Sequence, residues 1–230
     1  DQGLMLRFVK GDALGRTTGS HSTVCLLEPN GDALARGTIV FHGMAAGNLR
    51  RVLSDPRTGN RVREGLVRSF WPSARIEEIS ASPMEKADEP LAVSYVASVP
   101  GIATPAEGRM FVTPFLQESA VLRLMGPSER AHDMMIESEI TNVEEGVEWI
   151  APEGYAWLQV PDDAAIATEF GFYFLDFQVR GRSLFCTRAL LVPMQRVPRE
   201  KYPAFLKFVA QVHAVEKERA GYGPLPAQGF

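Results

Sequence analysis

Between Leu91 and Val99 the chain alternates strictly. Leu91, Val93, Tyr95, Ala97 and Val99 fall on one side, with Ala92, Ser94, Val96 and Ser98 on the other. Side chains of an extended strand point to opposite faces in turn, so this period of two predicts a strand with one face on a core. The same reading applies to Arg75–Ala81 and, in the second half, to Asp133–Ile140, Val147–Ala151, Tyr155–Val160 and Ala164–Glu169. Phe172–Val179 and Leu184–Val192 follow, joined by Arg180-Gly181-Arg182 as a compact hairpin. Turn residues at Pro152, Gly154 and Pro161-Asp162-Asp163 separate the strands.

The first third also reads as strands. Leu4–Val9 is a short apolar run, and Thr23–Glu28 and Gly37–His42 flank Pro29-Asn30-Gly31-Asp32. Asn-Gly readily supplies the two positive-φ positions of a type I′ turn, which predicts a hairpin. Two helices follow. Ala45, Ala46, Leu49, Val52 and Leu53 share one helical face before Pro56, and Val62, Leu66, Val67, Phe70 and Trp71 share another before Pro72. Both are expected to cover one face of a sheet. After Pro198 a closing helix starts near Tyr202-Pro203, with Phe205, Phe208, Val209, Val212 and Val215 as its apolar stripe. The tail, Gly221–Phe230, reads as loose.

Strand-rich halves with helices that only cap or close predict an α+β, mostly-β chain of antiparallel, sandwich-like sheets. A parallel α/β sheet would need regular strand–helix alternation, which is absent. Gly and Pro break the stretch Pro100–Pro127, apart from a short strand expected near Met110–Thr113. The expected division is therefore a β-rich subdomain with two inserted helices over 1–127 and a β-sandwich-like subdomain over 128–230. Hydrophobic residues make up 45% of the 230 and charged residues 23%, which excludes a wholly disordered chain. No apolar run approaches the roughly 20 residues of a membrane helix. A net charge of −4 argues against a dedicated nucleic-acid binder. The start, Asp1 to Phe8, lacks the basic, then long apolar, pattern of a signal peptide and begins without Met, as in a processed or excised chain.

No constellation announces a reaction. Cys25 and Cys186 fit no metal or redox spacing and leave a bridge or two buried thiols open. Both lie in strand-like runs, whereas cysteine nucleophiles of the papain type usually sit at a helix N-terminus. His21 and His42 lie near Cys25 in sequence or across the hairpin, so a cryptic cysteine hydrolase is an alternative. His21, His42, His132 and His213 lack zinc-site spacing. Glu77-Glu78, Glu144-Glu145 and Asp162-Asp163 read as solvated acids in turns or alternating strands. No catalytic residue, metal or cofactor is expected, and phosphate-binding glycine loops are missing.

One asymmetry stands out. Residues 50–75 carry Arg50, Arg51, Arg57, Arg61, Arg63, Arg68 and Arg75 against Asp55 and Glu64, a local excess of five positive charges. The plainer reading is a solvated helix face. The sharper one is a docking surface for an acidic partner or an anionic envelope polymer, using Arg50, Arg51, Arg57, Arg61, Arg63 and Arg68.

The order of elements resembles a known family. The Asn30-Gly31 turn is followed by His42-Gly43-Met44-Ala45-Ala46-Gly47-Asn48-Leu49-Arg50-Arg51, then by Ala151-Pro152-Glu153-Gly154-Tyr155, Val160-Pro161 and Phe170-Gly171-Phe172. The series closes on Lys201-Tyr202-Pro203-Ala204-Phe205-Leu206-Lys207-Phe208. In this order they are similar to the C-terminal β-rich domain of bacterial three-part transglutaminase-like proteins, over roughly residues 20–220. The resemblance implies an envelope or periplasmic setting and a neighbouring papain-like core that holds a Cys-His-Asp triad. No position of this chain matches the nucleophile motif of that core. The expected function is thus a non-catalytic accessory or interaction module, with the neighbouring core or another envelope protein as partner. The alternative is an adhesion or scaffold component of an envelope machine, binding through the arginine-rich helices.

Overall fold

The computed structural model describes residues 19–86, 88–137, 140–141 and 144–225. The expected strand at Leu4–Val9 and the last five residues of the tail lie outside them. In chain order, β1 (Gly19–Leu27) and β2 (Ala33–Phe41) lead into α1 (Gly43–Leu53) and α2 (Gly59–Phe70). Next come β3 (Arg75–Ala81), β4 (Leu91–Val99), β5 (Thr104–Ala106) and β6 (Arg109–Val112), then a 3-10 turn over Ala120–Leu124. The second half runs through β7 (Met134–Ile136), β8 (Ile140–Thr141), β9 (Glu144–Ile150), β10 (Tyr155–Gln159) and β11 (Ala164–Thr168). It ends with β12 (Gly171–Arg180), β13 (Ser183–Val192), β14 (Gln195–Val197), α3 (Tyr202–Glu216) and β15 (Ala220–Pro224). The fold is α+β, mostly strand and mainly antiparallel, as the sequence predicts.

Among the described residues, nine strands build the main sheet, in the order β11-β12-β13-β9-β1-β2-β4-β3 with β8 beside β13. β10-β15-β6-β5 make a second sheet, and β14 pairs with β7. One pairing departs from the antiparallel rule: β1 and β9 run parallel, Cys25 opposite Trp149. That pairing carries the main sheet across residue 127, so both halves of the chain contribute to one sheet and one hydrophobic core.

Register decides which side chains are inside. β4 alternates buried and half-buried from Leu91 to Val99, as its period of two requires. Across the sheet the inner face collects Val93, Ile39, His21, Glu145, Arg188 and Leu175, each opposite the next. Ala46 and Leu53 of α1 pack on Leu91 and Val93 together with Leu49, Val62, Leu66 and Ile79, so the α1–α2 pair covers one end of this face. Phe205, Phe208, Val209 and Val212 of α3 are buried in the main core. No described helix is long and apolar enough to cross a membrane.

Three local expectations are corrected. The first hairpin turns through three residues, Pro29-Asn30-Gly31, closed by Glu28 N–H to Asp32 O at 2.9 Å and Gly31 N–H to Glu28 O at 3.1 Å. Positive φ is confined to Gly31 (92°), so Asn-Gly does not form a type I′ turn. A side chain at Gly31 would also meet the Ala103 carbonyl, which packs against the turn. The strand expected over Asp133–Ile140 is two short ones, β7 and β8, with residues 138–139 outside the description. Finally, the tail is not loose where it is described: β15 pairs with β10 and β6, and Ala220 and Tyr222 are wholly buried.

Candidate functional site

Two groups of polar side chains lie on the inner face of the main sheet, where alternation alone would place hydrophobes. In the first, β1 presents His21 and Thr23, β4 presents Tyr95, and the end of α2 brings Trp71. Trp71 Nε1–H donates to the Tyr95 hydroxyl at 2.9 Å. Tyr95 Oη, Thr23 Oγ1 and His21 Nε2 form a triangle with sides of 2.9, 2.7 and 2.8 Å. With Nε2 accepting from a hydroxyl, the imidazole proton sits on Nδ1, which has no hydrogen-bond partner among the described residues. The ring also lies 4.0 Å from that of Phe70. Burial lowers the His21 pKa to about 4 and raises that of Tyr95 to about 12, so both are neutral near pH 7.

The second group centres on Arg188 of β13. Its Nη1 donates to Glu216 at 2.9 Å and its Nη2 to Glu145, while its guanidinium lies 4.8 Å from the centre of the Phe115 ring. Glu145, on β9, also accepts the Leu116 N–H at 2.8 Å. Glu216, at the end of α3, accepts the Ser119 N–H at 3.0 Å, the Ser119 hydroxyl, and the Tyr173 hydroxyl at 2.6 Å. Arg188 and Glu145 are only 4% and 3% exposed, and the Glu216 side chain 7%. Burial raises the Glu145 pKa against the pull of Arg188. The cluster ties β9, β12, β13, α3 and the segment after β6 into one unit.

Above it lies a cleft of about 380 Å³ between the end of α2, residues 113–118 and the end of α3. Phe70, Trp71 and Phe115 form walls, with Arg188 and Glu216 at the polar part and His213 and Lys217 beside them. Lys217 caps the C-terminal end of α3 directly after Glu216, so the cleft carries both signs of charge.

The sequence-derived candidates are distributed differently. Cys25 and Cys186 are free and buried on the inner face, opposite Trp149 and Val147 of β9. Burial pushes both thiols well above their ordinary pKa, away from the thiolate a nucleophile needs. His21 shares their face but sits four residues from Cys25, about 13 Å along the strand. His42 lies past the far end of β2, at the start of α1. No described hydrogen bond joins either imidazole to Cys25. Glu145, expected as a solvated acid, is instead buried on Arg188. Among the described residues no three His, Cys, Asp or Glu side chains gather as a metal site requires.

The arginines separate into two sets. Arg50 is buried and donates to the Glu89 carbonyl, so it is turned away from any outer surface. Arg63 donates to Asn60 at 3.2 Å and Arg68 to the Ala74 carbonyl at 2.9 Å, both local contacts. Arg51, Arg57 and Arg61 are exposed, as is Arg68 despite its bond to Ala74. The Arg57 side chain is 92% exposed and only loosely paired with Asp55, at 3.8 Å.

Sequence reasoning passed over Arg188, Glu216 and Tyr173 as site residues and placed Glu145 in solvent. A usable sign was present: Arg188 shares its parity with Leu184, Cys186, Leu190 and Val192, and Glu145 with Val147 and Trp149. A charge on the apolar side of an alternating strand calls for a buried partner.

Residues 108–220, from the start of β6 to the start of β15, match the model of a family described as a domain of unknown function with solved structure, DUF3858. Residues 108–220 are thus a β-rich DUF3858 domain, which takes in just under half of the chain. No curated protein matches the chain.

Proposed function

We propose that this chain is a non-catalytic accessory module of a transglutaminase-like protein of the bacterial cell envelope, periplasmic or envelope-associated. It acts by contact with the neighbouring papain-like core or with another envelope protein. The supporting observation is the fate of its reactive groups. Cys25 and Cys186 are sealed in the core, and His21, Glu145, Arg188 and Glu216 are engaged by partners within it. Contact area is available, because Leu26, Phe172 and Leu191 on the outer face of the main sheet are each more than a third exposed. The order of motifs between residues 20 and 220 supplies the link to the transglutaminase-like parents. The test is an assay of amide hydrolysis and acyl transfer with the chain and its Cys25→Ser variant. Neither should turn over; turnover that disappears in Cys25→Ser overturns the reading.

A second reading, an adhesion or scaffold component working through the arginine-rich helices, is favoured by the exposure of Arg51, Arg57 and Arg61. Changing these three to Glu should abolish salt-sensitive capture of the partner. Capture that is unchanged and indifferent to salt removes it.

A further inference from the structure

The two edges of the main sheet are built differently. At one edge β3 carries Arg75, Glu77 and Glu78 and slips register against β4 between Ile76 and Glu78. Charges and bulges are the devices that stop an edge strand from pairing with another chain. At the other edge β11 reads Ala164-Ala165-Ile166-Ala167-Thr168, with no charge, proline or glycine and no register slip against β12.

Among the described residues no strand pairs with the far side of β11, and the groups on that edge can be assigned atom by atom. Asp163 Oδ1 accepts the Phe177 N–H at 2.8 Å, so the odd-numbered amides of β12 face β11. Ala164, Ile166 and Thr168 stand opposite Leu175, Tyr173 and Gly171. The N–H and C=O groups of Ala165 and Ala167 therefore point away from β12, toward the open edge. Both alanines are exposed, and on the outer face they stand beside Phe174 and Phe172, whose rings stack 6.4 Å apart. Small side chains at the edge next to two aromatic rings leave a step that bulky side chains of an added strand would fill.

The flanks select the occupant. Asp162 and Asp163 precede β11 and Glu169 follows it. An antiparallel second copy centred on Ile166 would set Asp163 against Glu169, like charge on like, which disfavours self-pairing. Lys201 holds Glu169 at 2.5 Å, but both side chains are more than half exposed, and such pairs contribute little and exchange readily.

We infer that β11 is a strand-addition edge for an extended segment of another protein, with bulky apolar side chains at alternate positions and lysine or arginine at its ends. The inference rests on the interaction-module reading but uses a surface separate from the arginine-rich helices.

The probe is a fluorescent nine-residue peptide, Lys-Lys-Val-Thr-Phe-Thr-Val-Lys-Lys, titrated against the full chain by anisotropy, with amide hydrogen exchange in parallel. Saturable binding is expected, with slowed exchange at Ala165 and Ala167. Replacing the lysines by glutamates should weaken it. Ala165→Pro removes an edge donor without touching the β12 ladder. It should leave the unfolding midpoint unchanged and weaken binding by about tenfold, the effect of roughly one hydrogen bond. Ala165→Lys, which keeps the amide but fills the step, should weaken it as well. Absence of saturable binding, binding indifferent to these changes, or dimerisation of the chain through β11 would each overturn the inference. A failure here beside silent turnover assays sinks the edge alone. Turnover lost in Cys25→Ser sinks the module reading alone.

Discussion

The Tyr95 hydroxyl lies over the backbone of Gly37: a Cβ at Gly37 would sit 2.4 Å from Tyr95 Oη and 2.7 Å from Thr23 Oγ1. The two residues are opposite each other in the β2–β4 register. Glycine is required there by close approach, because the hydroxyl occupies the space a side chain would take. Gly37→Ala should destabilise the chain by about 1–3 kcal/mol, as overpacking does. In a Tyr95→Leu background the same change should cost less, since the hydroxyl and the ring Cζ, which would lie 2.5 Å from that Cβ, are both gone. Urea unfolding of the two single variants and the double variant measures that coupling.

Arg188 should be a highly sensitive position. Arg188→Leu leaves Glu145 and Glu216 buried without their cation, at a cost of about 3–5 kcal/mol. Adding Glu145→Gln and Glu216→Gln should restore much of the loss, because amides keep the acceptors for the Leu116 and Ser119 N–H groups without the charge. Equilibrium unfolding of the single and triple variants decides this. Equal stability of the two would mean that charge is not the cause.

His21 gives the fold a pH dependence of known sign. Its folded pKa, about 4, is below the ordinary histidine value of 6.5, so between these values the unfolded chain binds more protons. Its contribution is fully present above pH 6.5, declines as pH falls toward 4, and is flat below that. The amplitude is on the order of 3 kcal/mol. His21→Gln should flatten the pH 4–6.5 segment of a stability profile measured by urea unfolding.

The end of the chain should matter more than its composition suggests. Tyr222 is wholly buried, with Trp157 and Tyr155 against its ring at 5.5 and 6.1 Å. Tyr222→Ala should cost about 3–5 kcal/mol, the range for losing a buried aromatic side chain. Thermal unfolding gives the comparison with the parent chain.

Much of the architecture is legible because it depends on short-range chemistry. Leu91–Val99 alternates strictly, and its strand has those bounds. Pro56 and Pro72 follow α1 and α2 because a proline cannot continue a helix. Long-range pairing is a different matter. Ala220-Gly221-Tyr222-Gly223-Pro224 has a loop's composition and becomes a buried strand only because β10 and β6 flank it. The parallel β1–β9 pair leaves no local trace either. Glu145, Arg188 and Glu216 converge from positions more than 25 residues apart, so no spacing rule could join them. Arg50 is the opposite error: it sits in an evident basic cluster, yet the helix turns it inward onto the Glu89 carbonyl. The arginine count was visible, and the direction of each side chain was not.

The central claim is that the groups capable of chemistry are closed inside the fold. The most direct measurement is the rate at which a thiol reagent labels Cys25 and Cys186 in the native chain at neutral pH. Both are predicted to react no faster than the chain unfolds, with labelling accelerated by urea in step with unfolding. Rapid stoichiometric labelling of either thiol in the folded chain would contradict the account.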